Sequence, residues 1–140
     1  VIYSAAPFDI AAVRAVLPHV TVLVLNAVEA EQLSAALGVA LDKIDVPEML
    51  VTRGAQGVDW RARDGRRISM PANSVTPVDT TGAGDTFAGY FAAARARGLE
   101  PSEALGWAGA AAALKVTRAG TADAVPTAAE VATFQAQNPR

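Results

Sequence analysis

The glycine-rich segment DTTGAGD, from Asp79 to Asp85, contains the residue types of an anion-binding turn with a base beside it. A turn through Gly82, Ala83 and Gly84 directly before a helix would present backbone N–H groups at the positive end of the helix dipole. Asp85 would then be placed to accept a proton from a hydroxyl while the amides stabilise charge on a phosphoryl group in transfer. An isolated GAGD is more typical of a tight turn whose aspartate only complements the dipole, so the surrounding sequence has to decide.

Two short apolar runs precede this segment and predict strands that are buried on both faces, as in a parallel sheet. The first is Val20 to Leu25, and a helix from Ala27 to Leu37 follows it after a tight turn. The second lies within residues 46–52, where Pro47 moves the predicted strand start to Met49 because proline cannot donate to a sheet ladder.

A β-hairpin is predicted beside these strands. Residues 58–62 and 67–70 are extended runs that flank Asp64-Gly65, and such a pair between two runs is a strong hairpin signal. The fold class is therefore α/β, with a mostly parallel sheet plus an antiparallel hairpin and with helices on both faces.

Three further helices are predicted after the hairpin. The first runs from Asp85 to Ala96 and is closed by Gly98, the second extends from Pro101 to Lys115, and the last opens at Thr127 with a capping box. The second helix is rich in alanine, and its residues include the helically spaced set Leu105, Ala108, Ala112 and Lys115. Small residues at this spacing suit close packing against a neighbouring element.

Composition excludes several classes of function. The chain has 140 residues, 12 basic and 14 acidic side chains and no cysteine, so we expect no nucleic-acid partner, no disulfide and no thiolate metal site. It contains no run of eighteen apolar residues and no recognisable export signal, so we expect a cytoplasmic protein that binds no membrane.

Five arginines cluster in the sequence around the predicted hairpin. They could serve a ligand that carries phosphate, but a solvated hairpin is the commoner explanation of such a cluster. The residues are Arg53, Arg61, Arg63, Arg66 and Arg67.

The longer segment DTTGAGDTFAGYF resembles the signature of the ribokinase family, also called the PfkB carbohydrate kinases. The resemblance extends over essentially the whole chain. Val1 to Pro7 is similar to the strand and loop before the family's NxxE motif, Asn26 to Glu29 to NxxE itself, residues 52–57 to its nucleotide loop, and residues 116–120 to its late cation loop. The resemblance implies that the chain is the C-terminal part of a ribokinase-like three-layer α/β sandwich.

The same resemblance implies an activity, namely ATP-dependent phosphorylation of a hydroxyl on a sugar or a similar small molecule. Asp85 would be the general base and would contact the acceptor, and the amides of Gly82, Ala83 and Gly84 would form the anion hole. The nucleotide would be bound by Asn26, Thr52, Arg53, Gly54, Ala55, Gln56, Gly57, Val58, Gly84, Asp85 and Gly109. Gly109 stands where the family often has an asparagine close to the adenine.

Two metal ions are implied as well. Asn26 and Glu29 would arrange Mg2+ and the phosphates through water, although asparagine with glutamate three residues later is also an ordinary helix start, and both readings can hold. A potassium site would draw on Asp79 and Thr81, on backbone oxygens of Lys115, Arg118 and Gly120, and on a contribution near Ala124, which lacks the hydroxyl that a serine would offer. Oxygen ligands of this kind suit potassium.

Complete members of the family are longer, and their first half supplies the sugar-binding residues and a small β lid. We therefore expect residues 1–140 to be a single nucleotide-binding and catalytic C-terminal portion without the sugar-binding and lid portion. The alternatives are a non-catalytic nucleotide-binding or assembly module, or an inactive fragment of the kinase. An exposed sheet edge would also permit a homo-oligomer.

Overall fold

The computed structural model describes residues 1–139, which fall into two compact units. The first unit comprises Val1–Gly54 and Val58–Ser69, and the second comprises Ala55–Gly57 and the described chain from Met70 onward. The strands are β1 (Ile2–Ser4), β2 (Val22–Asn26), β3 (Glu48–Thr52), β4 (Val58–Ala62) and β5 (Arg67–Met70). The helices are α1 (Ile10–Val16), α2 (Ala27–Leu37), α3 (Ala83–Ala96), α4 (Pro101–Val116) and α5 (Ala128–Gln137), and short 3-10 turns lie at Leu17–His19, Leu41–Lys43, Gly54–Gln56 and Ala122–Ala124.

The strands form one five-stranded sheet in the order β1-β2-β3-β4-β5. β1, β2 and β3 are parallel, and β4 pairs antiparallel with β3. The turn after β4 contains Gly65 at φ 95°, whose N–H donates to the carbonyl of Ala62 at 3.1 Å. The predicted parallel strands and the predicted hairpin are both confirmed.

The helices of the first unit pack on one face of its sheet. Leu23 and Leu25 of β2 share a buried cluster with Val13 of α1 and Leu33 of α2. Each side chain of this size stabilises the fold by about 1.5 to 3 kcal/mol when it leaves water. The other two apolar residues of β2, Val22 and Val24, are buried too, which is the pattern that the sequence predicted for a strand inside a parallel sheet.

Three details of the first unit differ from the sequence prediction, and the smallest is that β3 begins at Glu48 and not at Met49. β2 begins at Val22, because Val20 caps the 3-10 turn before it and donates its N–H to the carbonyl of Leu17 at 3.3 Å. No helix was predicted at α1, which is only seven residues long. Its start is fixed by Asp9, whose carboxylate accepts the N–H of Ala11 at 2.9 Å.

The second unit is built from α3, α4 and α5. Tyr90 of α3 packs against Trp107 of α4 with ring centroids 6.0 Å apart, and both lie against a cluster formed with Val131 and Phe134 of α5. α3 ends through Gly98 at φ 84°, where the N–H groups of Arg97, Gly98 and Leu99 return to carbonyls of its last turn. In the part of the chain that the structure describes, no helix has the length and apolar character needed to cross a membrane.

Candidate active site

The first turn of α3 holds an aspartate whose carboxylate makes no hydrogen bond within the described residues. Gly82, at φ 75°, is the N-cap of α3, and it offers no side chain to cap the helix. Asp85 is the third helical residue, and its side chain is exposed. Within residues 1–139 its carboxylate has no hydrogen-bond or ion-pair partner, although a carboxylate at this position stabilises the helix through its dipole.

The same position in three other helices is occupied by a glutamate that is used structurally. Glu29 in α2, Glu103 in α4 and Glu130 in α5 each accept the backbone N–H of the N-cap residue, at 2.8, 3.3 and 2.7 Å. These contacts are the return half of a capping box. Aspartate is one methylene shorter than glutamate and makes no such contact in α3, so its carboxylate remains available for chemistry.

The glycine-rich turn leaves part of its backbone without an acceptor. The N–H of Ala83 donates to the carbonyl of Thr80 at 3.2 Å, and the carbonyl of Gly82 accepts the N–H of Thr86 at 2.9 Å. Among the described residues, the N–H groups of Gly82 and Gly84 have no acceptor. Two of the three predicted anion-hole amides are thus open to an anion at the helix N-terminus, while the third is engaged within the turn.

Asp79 ties the start of this turn to the loop after α4. Its Oδ1 accepts the N–H of Thr81 at 2.9 Å, and its Oδ2 accepts the N–H of Gly120 at 3.2 Å. The N–H groups of Val78 and Asp79 both donate to the carbonyl of Val116. Hydrogen bonds from Thr81, followed by the one from Gly120 and by the nearby Lys115 ammonium, lower the pKa of Asp79 to about 2.

A lysine side chain lies among the predicted potassium ligands. Lys115, in the last turn of α4, is fully buried, and its Nζ donates to the carbonyl of Gly120 at 2.7 Å and to that of Asp79 at 3.4 Å. The backbone oxygen of Lys115, which was the predicted ligand, accepts the N–H of Arg118 at 3.0 Å. No role for the ammonium was predicted from the sequence, although a lysine that continues an otherwise small and apolar stripe was the available signal.

The rest of the predicted cation loop is well ordered by local contacts. The guanidinium of Arg118 pairs with Glu130 at 2.8 Å, and Ala124 is buried in its 3-10 turn. Gly120 has φ 112°, and a Cβ added there would lie 2.8 Å from Oδ1 of Asp123. Among the predicted ligands, the structure therefore brings Thr81, Gly120 and the Lys115 ammonium to Asp79. Arg118 and Ala124 make no hydrogen bond to Asp79 within residues 1–139.

In the first unit, Asn26 and Thr52 are neighbours at the carboxyl ends of β2 and β3. They are register partners in the parallel ladder, and the Thr52 hydroxyl is 3.4 Å from the carbonyl of Leu25. Carboxyl ends of parallel strands are where open α/β sheets bind ligands. Asn26 also caps α2, with its Oδ1 accepting the N–H of Glu29 at 2.8 Å, so the helix-start reading is confirmed and the magnesium role stays a prediction.

The predicted nucleotide loop continues from β3. Arg53 pairs with Asp59 at 2.8 Å, and together with Ala27 of α2 it lines an open cavity of about 580 Å3. Residues 54–56 form a 3-10 turn. Gly57 is buried at φ 105°, and a Cβ added to it would lie 2.1 Å from the carbonyl oxygen of Met70, so only glycine fits.

The predicted nucleotide-binding residues divide between the two units. Those in the first unit are Asn26, Thr52, Arg53, Gly54 and Val58, and those in the second are Ala55, Gln56, Gly57, Gly84, Asp85 and Gly109. Gly109 lies within α4 and is partly exposed. Within the first unit the structure makes Asn26 and Thr52 register partners, and within the second Gly84 and Asp85 follow each other in α3.

The clustered arginines are engaged by acidic side chains and carbonyls of the first unit. Four of them pair with aspartates, and Arg61 donates to the carbonyls of Leu41 and Ile44. The pairs are Arg53–Asp59, Arg63–Asp45, Arg66–Asp64 and Arg67–Asp42. This pattern favours the solvated-hairpin interpretation. No group of three or more histidine or acidic side chains that could hold a metal occurs within residues 1–139.

Comparisons with known proteins agree with this geometry. The family model described as pfkB family carbohydrate kinase matches residues 2–128. The ribokinase of Bacillus subtilis (strain 168) is 40% identical over 114 residues, which cover 81% of this chain and 39% of that protein.

Solved structures of ribokinases are also similar to this chain. A ribokinase from Thermotoga maritima superposes with a TM-score of 0.85 at 31% identity, covering 96% of this chain and 48% of its own. An E. coli protein assigned as a ribokinase II, in complex with ATP and Mg2+, superposes with a TM-score of 0.80 at 30% identity, covering 91% of this chain and 43% of its own. The chain spans less than half the length of these relatives.

The ribokinase-like α/β fold that the sequence resemblance implied is confirmed by these superpositions, and the family by the match over residues 2–128. The chain belongs to the pfkB family of carbohydrate kinases.

Proposed function

We propose that the protein containing this chain transfers the γ-phosphoryl group of ATP to a hydroxyl of a sugar or a similar small molecule. The observation that carries the proposal is the unpaired, exposed carboxylate of Asp85 beside two unengaged backbone N–H groups, those of Gly82 and Gly84. The other described helix starts with a carboxylate at the third position use it for capping.

The reaction follows from the chemistry of these groups. The Asp85 carboxylate takes the proton of the acceptor hydroxyl, and the hydroxyl oxygen forms a bond to the γ-phosphorus of ATP. The bond between that phosphorus and the oxygen bridging to the β-phosphate breaks, and ADP leaves with the bonding electron pair. The N–H groups of Gly82 and Gly84, at the positive end of the α3 dipole, stabilise the charge on the transferring group.

For the nucleotide we infer a binding role for the carboxyl ends of β2 and β3 in the first unit. Separately, we infer such a role for the loop through Gly57 in the second unit. Glu29 is suited to assist Mg2+, because only its Oε2 is engaged by the capping contact and the side chain keeps a second carboxylate oxygen. Bound Mg2+ would neutralise phosphate charge. The lack of an acidic cluster in residues 1–139 agrees with an ion that is held largely by water and phosphate oxygens.

We further propose that acceptor selection comes from the part of the relatives that this chain does not span. The expected partners are ATP and a small sugar-like acceptor in the cytoplasm, with no nucleic acid. The pairing of the arginines in the first unit supports the last point, because those charges already have partners in the fold.

The proposal is tested with purified protein by measuring ADP release with ATP and Mg2+ in the presence and absence of ribose, fructose and other sugars. We expect ADP release that requires a sugar, with one phosphorylated sugar formed for each ADP. ATP binding by calorimetry without any sugar-dependent turnover would support the non-catalytic module instead.

A further inference from the structure

Lys115 is a buried charged residue whose ammonium group has oxygen partners in the fold. The residue is fully buried, and an ammonium group without partners is costly to remove from water. Its Nζ donates to the carbonyl of Gly120 at 2.7 Å and to that of Asp79 at 3.4 Å, and its charge lies close enough to the Asp79 carboxylate to favour the ionised form of that group. The oxygens of Asp79 and Gly120 therefore line a small hole that holds one positive charge, the Lys115 ammonium.

The oxygens of this hole are those that the potassium prediction named. Asp79 and Gly120 appear in both sets, and an ammonium and a monovalent metal ion make the same demand, which is several oxygens around a single positive charge. Two cations in one small hole would repel each other. The described residues therefore do not fit a potassium ion while the Lys115 side chain is in place.

We propose that the ammonium of Lys115 is a built-in replacement for the monovalent cation, so that the protein does not depend on potassium. Lys115 is then a positioning residue, since it joins the Asp79 segment, which leads into the glycine-rich turn, to the loop after α4. The lysine chain also passes under that turn, because its Cε lies 3.9 Å from where a Cβ on Gly82 would be.

The experiment measures melting temperature rather than turnover, so its outcome does not depend on phosphoryl transfer. For the wild-type protein we expect the same melting temperature in KCl, NaCl and tetramethylammonium chloride at equal ionic strength. Lys115→Ala vacates the hole, and we expect it to melt roughly 5 °C or more below the wild type in tetramethylammonium chloride. Potassium should recover part of that loss, because an ion that binds only the folded state stabilises it.

Lys115→Met is the matched control, because its side chain fills the space without supplying charge. It should melt below the wild type with no recovery by potassium, whereas a merely structural lysine would give the same salt response in both variants. The proposal is overturned if potassium raises the melting temperature of the wild type over that in tetramethylammonium chloride, or if potassium fails to discriminate Lys115→Ala from Lys115→Met. Should Lys115→Ala fold only in potassium, that result supports the proposal; should it fold in none of the salts, that result counts against it.

Discussion

Replacing Gly57 by alanine should be among the more damaging single-methyl additions to this chain. Gly57 has φ 105°, and the new Cβ would lie 2.1 Å from the carbonyl oxygen of Met70, 2.8 Å from Cα of Pro71 and 2.9 Å from the nitrogen of Ala72. All three contacts are with backbone atoms, so no flexible side chain can move aside. The 70–72 segment has to shift instead.

The expected cost has two parts. Holding an L-residue at positive φ costs about 1 to 2 kcal/mol, and forcing an extra methyl into a filled space costs about 1 to 3 kcal/mol. Gly57→Ala should therefore lower the free energy of unfolding by about 2 to 5 kcal/mol. Gly38→Ala is the matched control, because Gly38 has φ 66° and a Cβ there meets nothing within 4 Å, so only the first part applies.

Urea unfolding of the wild type and the two variants measures both costs. We expect Gly57→Ala to lose at least about 1 kcal/mol more than Gly38→Ala, since only Gly57 adds a backbone clash. ATP affinity should also fall in Gly57→Ala if the loop binds nucleotide. Equal losses of stability in the two variants would show that the backbone contact of Gly57 is not a steric constraint.

The remaining predictions concern helix capping and pH. Asn26→Ala should lower the free energy of unfolding by about 1 kcal/mol through loss of the α2 cap. Asn26→Ser should restore most of that stability without restoring ATP affinity, and recovery of both would assign Asn26 a capping role alone. Glu130 accepts hydrogen bonds from Arg118 and from Thr127. These bonds, the one from Arg118 first, lower its pKa from the ordinary 4.5 to about 2. Because the folded pKa is the lower one, this contribution is complete above pH about 4.5 and is lost as the pH falls toward 2. Melting curves of Glu130→Gln should therefore depend less on pH across that window than those of the wild type, and identical slopes would contradict the assignment.

Local chemistry explains how much of the fold could be predicted from the sequence. The hairpin was predicted with its observed bounds, because Asp64-Gly65 supplies the turn and apolar alternation supplies the strands. α2 was predicted with its observed bounds as well, since Asn26 and Gly38 mark its two ends. The helix that was not predicted, α1, has a cap at Asp9 but too few residues for a visible apolar period.

The site could be predicted only in part, because one side chain acts over a long sequence distance. The resemblance assigned Lys115 a backbone oxygen, and no local pattern indicates that its Nζ reaches the carbonyl of Asp79, 36 positions earlier in the chain. The same holds for the N–H of Gly120, which binds the Asp79 carboxylate across 41 positions. Tertiary contacts of this kind become visible only after folding. The exposed carboxylate of Asp85, by contrast, follows from the motif, and its lack of a structural partner is what the fold adds.

Whether Asp85 is the general base is best decided by the turnover number of Asp85→Asn, measured beside ATP affinity and melting temperature in the protein that contains this chain. We expect turnover to fall by about a hundred- to ten-thousand-fold, because a general base is lost, with ATP affinity nearly unchanged. Glu103→Gln is the control, because it removes the corresponding carboxylate of α4, which serves only a capping contact. That variant should keep its turnover and most of its stability, because the glutamine oxygen can still accept the capping hydrogen bond. Wild-type turnover in Asp85→Asn would contradict the role of Asp85 as general base, and so would a loss of ATP binding and stability in proportion to the loss of rate.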